Sequence, residues 1–217
     1  MKKFLMLACH NIKDELLSAL KEANADFPVI FIPREMHLFP DKLRMYLQDM
    51  LNSITNVNYI LLPMGMCGNG TIGLVSETSS IVLPKCGDCI DLLLSQDDLS
   101  PTRPTYNYFL TSSWLGEKGS LDTEFQHAMD KYGLKRALRI FDMMYKNYKY
   151  FSFIDTGTYD IEAAKEKVRS LAEHTNVEIN VVEGKYGVLR KMAALQLDNN
   201  FVIVSPGETV CERHFGK

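Results

Sequence analysis

The residues best suited to chemistry are cysteines, and their spacing is uneven: Cys9, Cys67, the pair Cys86 and Cys89, and Cys211. Five is an odd number and nothing in the sequence suggests secretion, so metal or thiol chemistry explains them better than a disulfide framework. Cys9-His10, Cys67-Gly68-Asn69-Gly70 and Cys86-Gly87-Asp88-Cys89 each follow a short apolar run and precede a helical pattern. Thiols in that setting are expected to have lowered pKa values, because the helix amides favour negative charge. Three thiolates suit a [4Fe-4S] cluster with one open iron, or a zinc ion with a fourth position for water or thiol. Soft sulfur excludes magnesium and calcium. The gap between Cys86 and Cys89 is also that of zinc knuckles and redox pairs. No second such pair follows, which disfavours a structural four-cysteine zinc site and leaves a thiol-disulfide oxidoreductase open.

Other polar residues sit where a ligand would. Gly68, Asn69 and Gly70 allow backbone to approach a cofactor, and so do Gly157 and Gly207 further along. Trp114 could stack on an organic partner at the mouth of a cleft, with Thr156 and Tyr159 beside it, although core packing is the commoner fate of a lone tryptophan. Asp155 and Glu208 are the general acid or base candidates, with helix capping the competing reading for Asp155 or Thr156. Arg34 could hold a carboxylate or phosphate. His10 could be a fourth ligand, whereas His37, His127 and His174 read as structural or solvent-facing. Cys211 and His214 fall in a short tail expected to fray. The glycines around residue 70 lack the third member of a dinucleotide-binding turn, and there is no P-loop.

Positioning these residues requires elements that deliver them to one place. Apolar periodicity predicts strands over 4–8, 27–32, 59–64, 80–83, 108–112, 150–154, 177–182 and 201–204. Helical spacing predicts helices over 12–23, 41–54, 71–76, 88–95, 122–145, 161–174 and 185–197. The alternation implies an α/β fold, mainly parallel, with flanking helices, because parallel neighbours need a crossover of that length. In such sheets ligands bind beyond the carboxyl ends of the strands, which is where all these clusters fall. Residues 96–106 have loop composition and suggest a boundary between an N-terminal lobe, 1–100, carrying the cysteines and a C-terminal lobe, 101–217. The arrangement expected is one large sheet or two Rossmann-like lobes around a central cleft.

The bulk properties restrict the function class. At 217 residues, with 46% hydrophobic and 24% charged side chains, the chain can bury a sizeable core. A net charge of −3 gives no basic field for nucleic acid. No apolar stretch is long enough to span a bilayer, so the expectation is a cytoplasmic protein with no membrane partner. A homo-oligomer is admitted.

The strings Leu7-Ala8-Cys9, Gly65-Met66-Cys67-Gly68-Asn69-Gly70, Pro84-Lys85-Cys86-Gly87-Asp88-Cys89-Ile90, Tyr108-Phe109-Leu110-Thr111 and Asp155-Thr156-Gly157-Thr158-Tyr159 together resemble the domain-of-unknown-function family 1638 over nearly the whole chain. The resemblance implies an anaerobic setting, in methanogens and acetogens, near corrinoid-dependent methyltransferases. It further implies cysteine at the positions of Cys9, Cys67 and Cys89, with Cys86 often replaced. The metal ligands it points to are therefore Cys9, Cys67 and Cys89, serving corrinoid-linked one-carbon metabolism. The partner would be a small-molecule ligand or a corrinoid protein. The alternatives are a non-catalytic carrier of a corrinoid, metal or metabolite, and the oxidoreductase using Cys86 and Cys89.

Overall fold

The structure is a computed structural model, describing residues 2–97, 99 and 101–216. It divides into two compact units, Met1–Pro101 with Lys185–Lys217, and Thr102–Gly184. The expected C-terminal lobe, 101–217, is not one of these units. Residues 185–217 return to the first unit and add a helix and a strand to it.

The first unit is built on β1 (Phe4–Cys9), β2 (Val29–Ile32), β3 (Tyr59–Leu61), β4 (Ser80–Pro84) and a late strand, Phe201–Val204, in the order β2-β1-β3-β4 and then that strand. All pairs are parallel except the last, which runs antiparallel to β4 with Ile81 opposite Val204 and Pro84 opposite Phe201. Helices α1 (Lys13–Glu22) and α2 (Pro40–Ser53) carry the chain back between the parallel strands. Leu43, Leu47 and Leu51 of α2 are buried in one cluster with Leu5, Leu7, Ile60, Leu62, Ile81 and Leu83. On β1 these are alternate residues, yet Met6 and Ala8 between them are also buried, as expected for a strand covered on both faces. Each fully buried leucine of this kind contributes about 1.5–3 kcal/mol relative to exposure.

Residues 71–76, expected to be helical, form turns instead, and Val75 makes an isolated antiparallel bridge to Thr209. Glycines at 70 and 73 deny a helix there the length and propensity it would need. A short helix, α3 (Cys89–Leu94), follows β4.

The second unit has a parallel three-stranded sheet, β5 (Asn107–Leu110), β6 (Tyr150–Asp155) and β7 (Glu178–Glu183), with β6 central. The long helical pattern between β5 and β6 is split into α4 (Leu121–Tyr132) and α5 (Leu134–Tyr145) at Gly133, whose φ of 76° and ψ of 155° only glycine readily adopts. Phe151 and Phe153 are fully buried in a cluster with Phe125, Phe141 and Tyr145, and α6 (Ile161–His174) adds Ala164, Val168 and Leu171. Ser152, buried within β6, is satisfied by donating to Asn107 Oδ1. In the first unit, α7 (Gly187–Ala193) contacts α1, and the late strand is β8. Among the described residues no helix is long and apolar enough to cross a membrane.

Candidate functional site

Because β1, β3 and β4 are parallel neighbours, their carboxyl ends lie at one edge of the first sheet, and three chain segments bring cysteine there. Cys9 is the last residue of β1. Beyond β3 the chain runs to a turn in which Cys67, Gly68 and Asn69 are all left-handed, with φ of 48°, 63° and 71°. For a non-glycine residue that conformation costs about 1–2 kcal/mol, so neighbours must hold Cys67 in place. Met66 N–H donates to Cys86 O at 3.1 Å and Cys67 N–H to Gly87 O at 2.9 Å, lacing this turn to the one after β4. Thr71 Oγ1 donates to Gly65 O at 3.0 Å from the other side. Gly65 lies so close to Cys86 that an added Cβ would fall 2.4 Å from the Cys86 carbonyl oxygen.

The turn after β4 is organised by its two aspartates. Asp88 caps α3 by accepting from Ile90 N–H at 2.8 Å, and Asp91 accepts from Gly87 N–H at 2.8 Å. Cys86 is buried and its Sγ is 3.4 Å from Asp88 O, a thiol built into the turn. Cys89 opens α3 and is also buried.

The electrostatics reverse one sequence expectation. Burial pushes the Cys9 thiol up, outweighing a backbone hydrogen bond from Asn11 and the charge of Arg34, which pull it down. Burial also raises Cys67, reinforced by Cys9, Asp88 and Asp91 against a backbone hydrogen bond from Gly65. Cys89 is raised as well, by burial first and then by Cys9, Cys67, Asp88 and Cys86. The expected lowering fails because the sulfurs are desolvated, and at Cys67 and Cys89 neighbouring cysteines and Asp88 add to that effect, which the local amides do not offset. Burial thus disfavours ionisation of all three thiols, and Cys89 feels both Cys9 and Cys67. His37, expected to be structural or solvent-facing, is lowered by burial against a smaller upward pull from Asp88, so its imidazole is neutral beside this site. Nothing in its sequence setting marks it, since it lies in a short 3-10 turn, Arg34–Leu38.

A buried group of protonated thiols flanked by carboxylates does not suit an anion, and it ionises only when a cation compensates. Among the described residues, no group of three or more His, Cys, Asp or Glu side chains stands in an arrangement that could hold a metal ion. A single tetrahedral zinc with bonds of about 2.3 Å needs its sulfurs about 3.8 Å apart. A cluster takes one thiolate per iron and so spreads its ligands wider. The spacing of the three sulfurs is not that of a closed mononuclear site.

The remaining predicted residues are distributed differently from expectation. Gly68 and Asn69 are part of the Cys67 turn, with Gly68 against Pro40 and Asn69 O accepting from Arg44; Gly70 closes the turn by donating to Cys67 O at 3.1 Å. Gly207 and Glu208 follow β8, and because β8 is antiparallel they lie at the opposite edge of the sheet from the cysteines. Glu208 Oε2 there accepts from Ser205 N–H at 3.0 Å. Asp155, Thr156, Gly157, Tyr159 and Trp114 belong to the second unit. Asp155 accepts from Gly157 N–H at 3.0 Å, shaping the turn after β6, and Thr156 bonds Thr158 at 2.9 Å. The cap of α6 is Asp160, not Asp155 or Thr156. Tyr159 donates its hydroxyl to Ile154 O at 2.5 Å and packs with Trp114 against the second core. His10 stands edge-on to Phe31, and His127 and His174 are exposed.

The fold and this edge define an α/β protein with Cys9, Cys67 and Cys89 at the carboxyl ends of a mainly parallel sheet, Cys89 buried and the other two partly so. The chain belongs to the family described as "Protein of unknown function (DUF1638)", whose model matches residues 31–193. Comparison with curated proteins and with solved structures finds no match.

Proposed function

We propose that Cys9, Cys67 and Cys89 ligate a soft metal centre with one open coordination position, a [4Fe-4S] cluster in the leading form, and that it serves corrinoid-linked one-carbon metabolism. The observation that carries this reading is the raising of the Cys67 and Cys89 thiols by desolvation and then by Cys9 and Asp88, a concentration of latent negative charge that a cation would relieve. The centre would supply a Lewis acid or an electron at its open position. The chain's own residues would exclude water and hold the three sulfurs. Arg34 would keep a positive charge next to Cys9, and neutral His37 would present a further donor nearby. A zinc ion is the second form, requiring the turn at residues 65–70 to draw the sulfurs closer on binding. Exchange chemistry at Cys86 and Cys89 is disfavoured, because both sulfurs are buried and Cys86 is tied into its turn. The link to corrinoid metabolism rests on the resemblance of the cysteine-bearing strings, and the partner would be a corrinoid protein or a small methylated compound.

The test is anaerobic purification with iron, sulfide and zinc analysis and a visible spectrum, repeated for Cys9→Ser, Cys67→Ser, Cys89→Ser and, as a control, Cys86→Ser. A brown protein that loses its colour in the first three variants and keeps it in the control supports the cluster. Colourless protein with one zinc, lost in the same three variants, replaces the cluster by zinc. Metal-free protein, or metal content indifferent to Cys9 and Cys67, refutes the centre.

A further inference from the structure

Cys211 follows β8 on a segment that pairs with Gly73 and Leu74, and its surroundings are unlike those of the other four cysteines. The segment that carries it is tied down, contrary to the expected frayed tail. Gly73 N–H donates to Val210 O at 2.8 Å, Val210 N–H to Leu74 O at 2.9 Å, and the Val210 side chain is fully buried. Cys211 then opens a 3-10 turn, Glu212–Phe215, whose Phe215 packs back on the first core. Within this turn Arg213 Nε donates to Cys211 Sγ at 3.2 Å. The His214 ring lies against the sulfur, its nitrogens 3.5 and 3.6 Å away, and its Nδ1 accepts from Cys211 N–H at 3.2 Å. That bond leaves Nδ1 an acceptor, so the guanidinium is the fixed positive charge at the sulfur. Cys211 lines a pocket of about 780 Å³ together with Ile72, Glu208, Thr209, Glu212, Arg213 and His214.

A sulfur with a charge-assisted donor, a neighbouring imidazole and an open pocket is the arrangement of a reactive thiol. Two carboxylates line the pocket against one guanidinium already engaged by the sulfur, so the cavity favours a ligand with a cationic end. We propose that Cys211 is a site of thiol-disulfide exchange with small disulfides bearing ammonium groups, separate from the metal centre and not dependent on it. The Cys211 sulfur, as thiolate, attacks one sulfur of the small disulfide. A bond forms between Cys211 and that half, the original sulfur–sulfur bond breaks, and its electron pair leaves on the other half as a thiolate. The proton lost by Cys211 goes to solvent or to that departing thiolate. The small disulfide is the two-electron oxidant. Arg213 stabilises the attacking form through Nε, and Glu208 and Glu212 attract the ammonium end.

The experiment incubates the protein as purified with cystamine and follows mixed-disulfide formation by intact mass and peptide mapping. One adduct on Cys211, with the other four cysteines unmodified, is expected. Cys211→Ser should abolish the fast adduct. Arg213→Ala should slow it about tenfold while Arg213→Lys restores part of the rate, a rescue that a purely structural role would not give. Glu212→Gln should slow cystamine and leave the uncharged reagent methyl methanethiosulfonate unaffected. The continued protection of the four other thiols reports that each variant is folded. Adducts appearing first on another cysteine, or an Arg213→Ala rate equal to wild type, would overturn the proposal.

Discussion

Gly65→Ala should damage the thiol edge more than any other single methyl group added to it. An alanine Cβ at this position would stand 2.4 Å from Cys86 O and 2.8 Å from both Cys86 C and Cys86 Sγ, about 1 Å short of ordinary contact at the carbonyl oxygen. Two of those atoms are backbone, so no rotamer change relieves the clash and the turns at 65–67 and 86–87 must separate. Separation loses the bonds from Met66 N–H to Cys86 O and from Cys67 N–H to Gly87 O. Two net backbone hydrogen bonds at about 0.5–1.5 kcal/mol each, with about 1–3 kcal/mol of overpacking, place the cost at about 2–6 kcal/mol. For a chain of this size a loss of about 3 kcal/mol corresponds to a melting temperature lower by about 6–12 °C. The assay is thermal or urea unfolding, together with native iodoacetamide labelling of Cys67 and Cys86. Gly187→Ala is the matched control: its Cβ would meet Gln96 O at 2.0 Å, in the same unit and among other residues. Both variants should be destabilised, but only Gly65→Ala should expose Cys67 and Cys86. An unchanged midpoint for Gly65→Ala, or equal thiol exposure in the two variants, would refute the reasoning.

Three further outcomes are expected. Gly133→Ala should cost about 1–3 kcal/mol in urea unfolding although nothing lies within 4 Å of the added methyl, because the penalty comes from the backbone conformation between α4 and α5; a neutral result would mean that the two helices reconnect without strain. Burial is the largest cause raising both Tyr108 and Tyr145, so the folded state holds phenolic protons that the unfolded state releases above pH about 10. Their stabilising contribution is then complete below that pH and declines as pH rises through it, and Tyr145→Phe should flatten the alkaline fall in stability; a slope identical to wild type would contradict this. Glu22→Gln should cost less than about 1 kcal/mol despite its bonds to Tyr186 at 2.9 Å and Arg190 at 2.7 Å, because the network lies at the surface; a larger loss in urea unfolding would show that the α1–α7 contact depends on it.

The alternation of strand and helix was legible residue by residue, because periods of two and of 3.6 are written locally in runs such as Phe4–Cys9 and Ile161–His174. The convergence of Cys9, Cys67 and Cys89 was also legible, since the carboxyl ends of parallel strands share an edge whatever their order in the sheet. Strand direction was not. Phe201–Val204 reads like the other strands, and only its pairing with β4 shows that it runs the other way, which removes Gly207 and Glu208 from the cysteine edge. The same return of the chain after Lys185 moved the expected domain boundary.

Protonation was decided at the tertiary level as well. A cysteine before a helix suggests an ionised thiol, but the pKa of Cys67 depends on burial and on Cys9, Asp88 and Asp91, which are remote in sequence. The sequence by itself determined which residues form strands and helices and which thiols arrive at the sheet edge, because those follow from local periodicity and from parallel crossover. Tertiary structure alone decided that these thiols are desolvated and neutral and that Cys211 lines an open pocket, because desolvation and the direction of a chain's return are properties of packing.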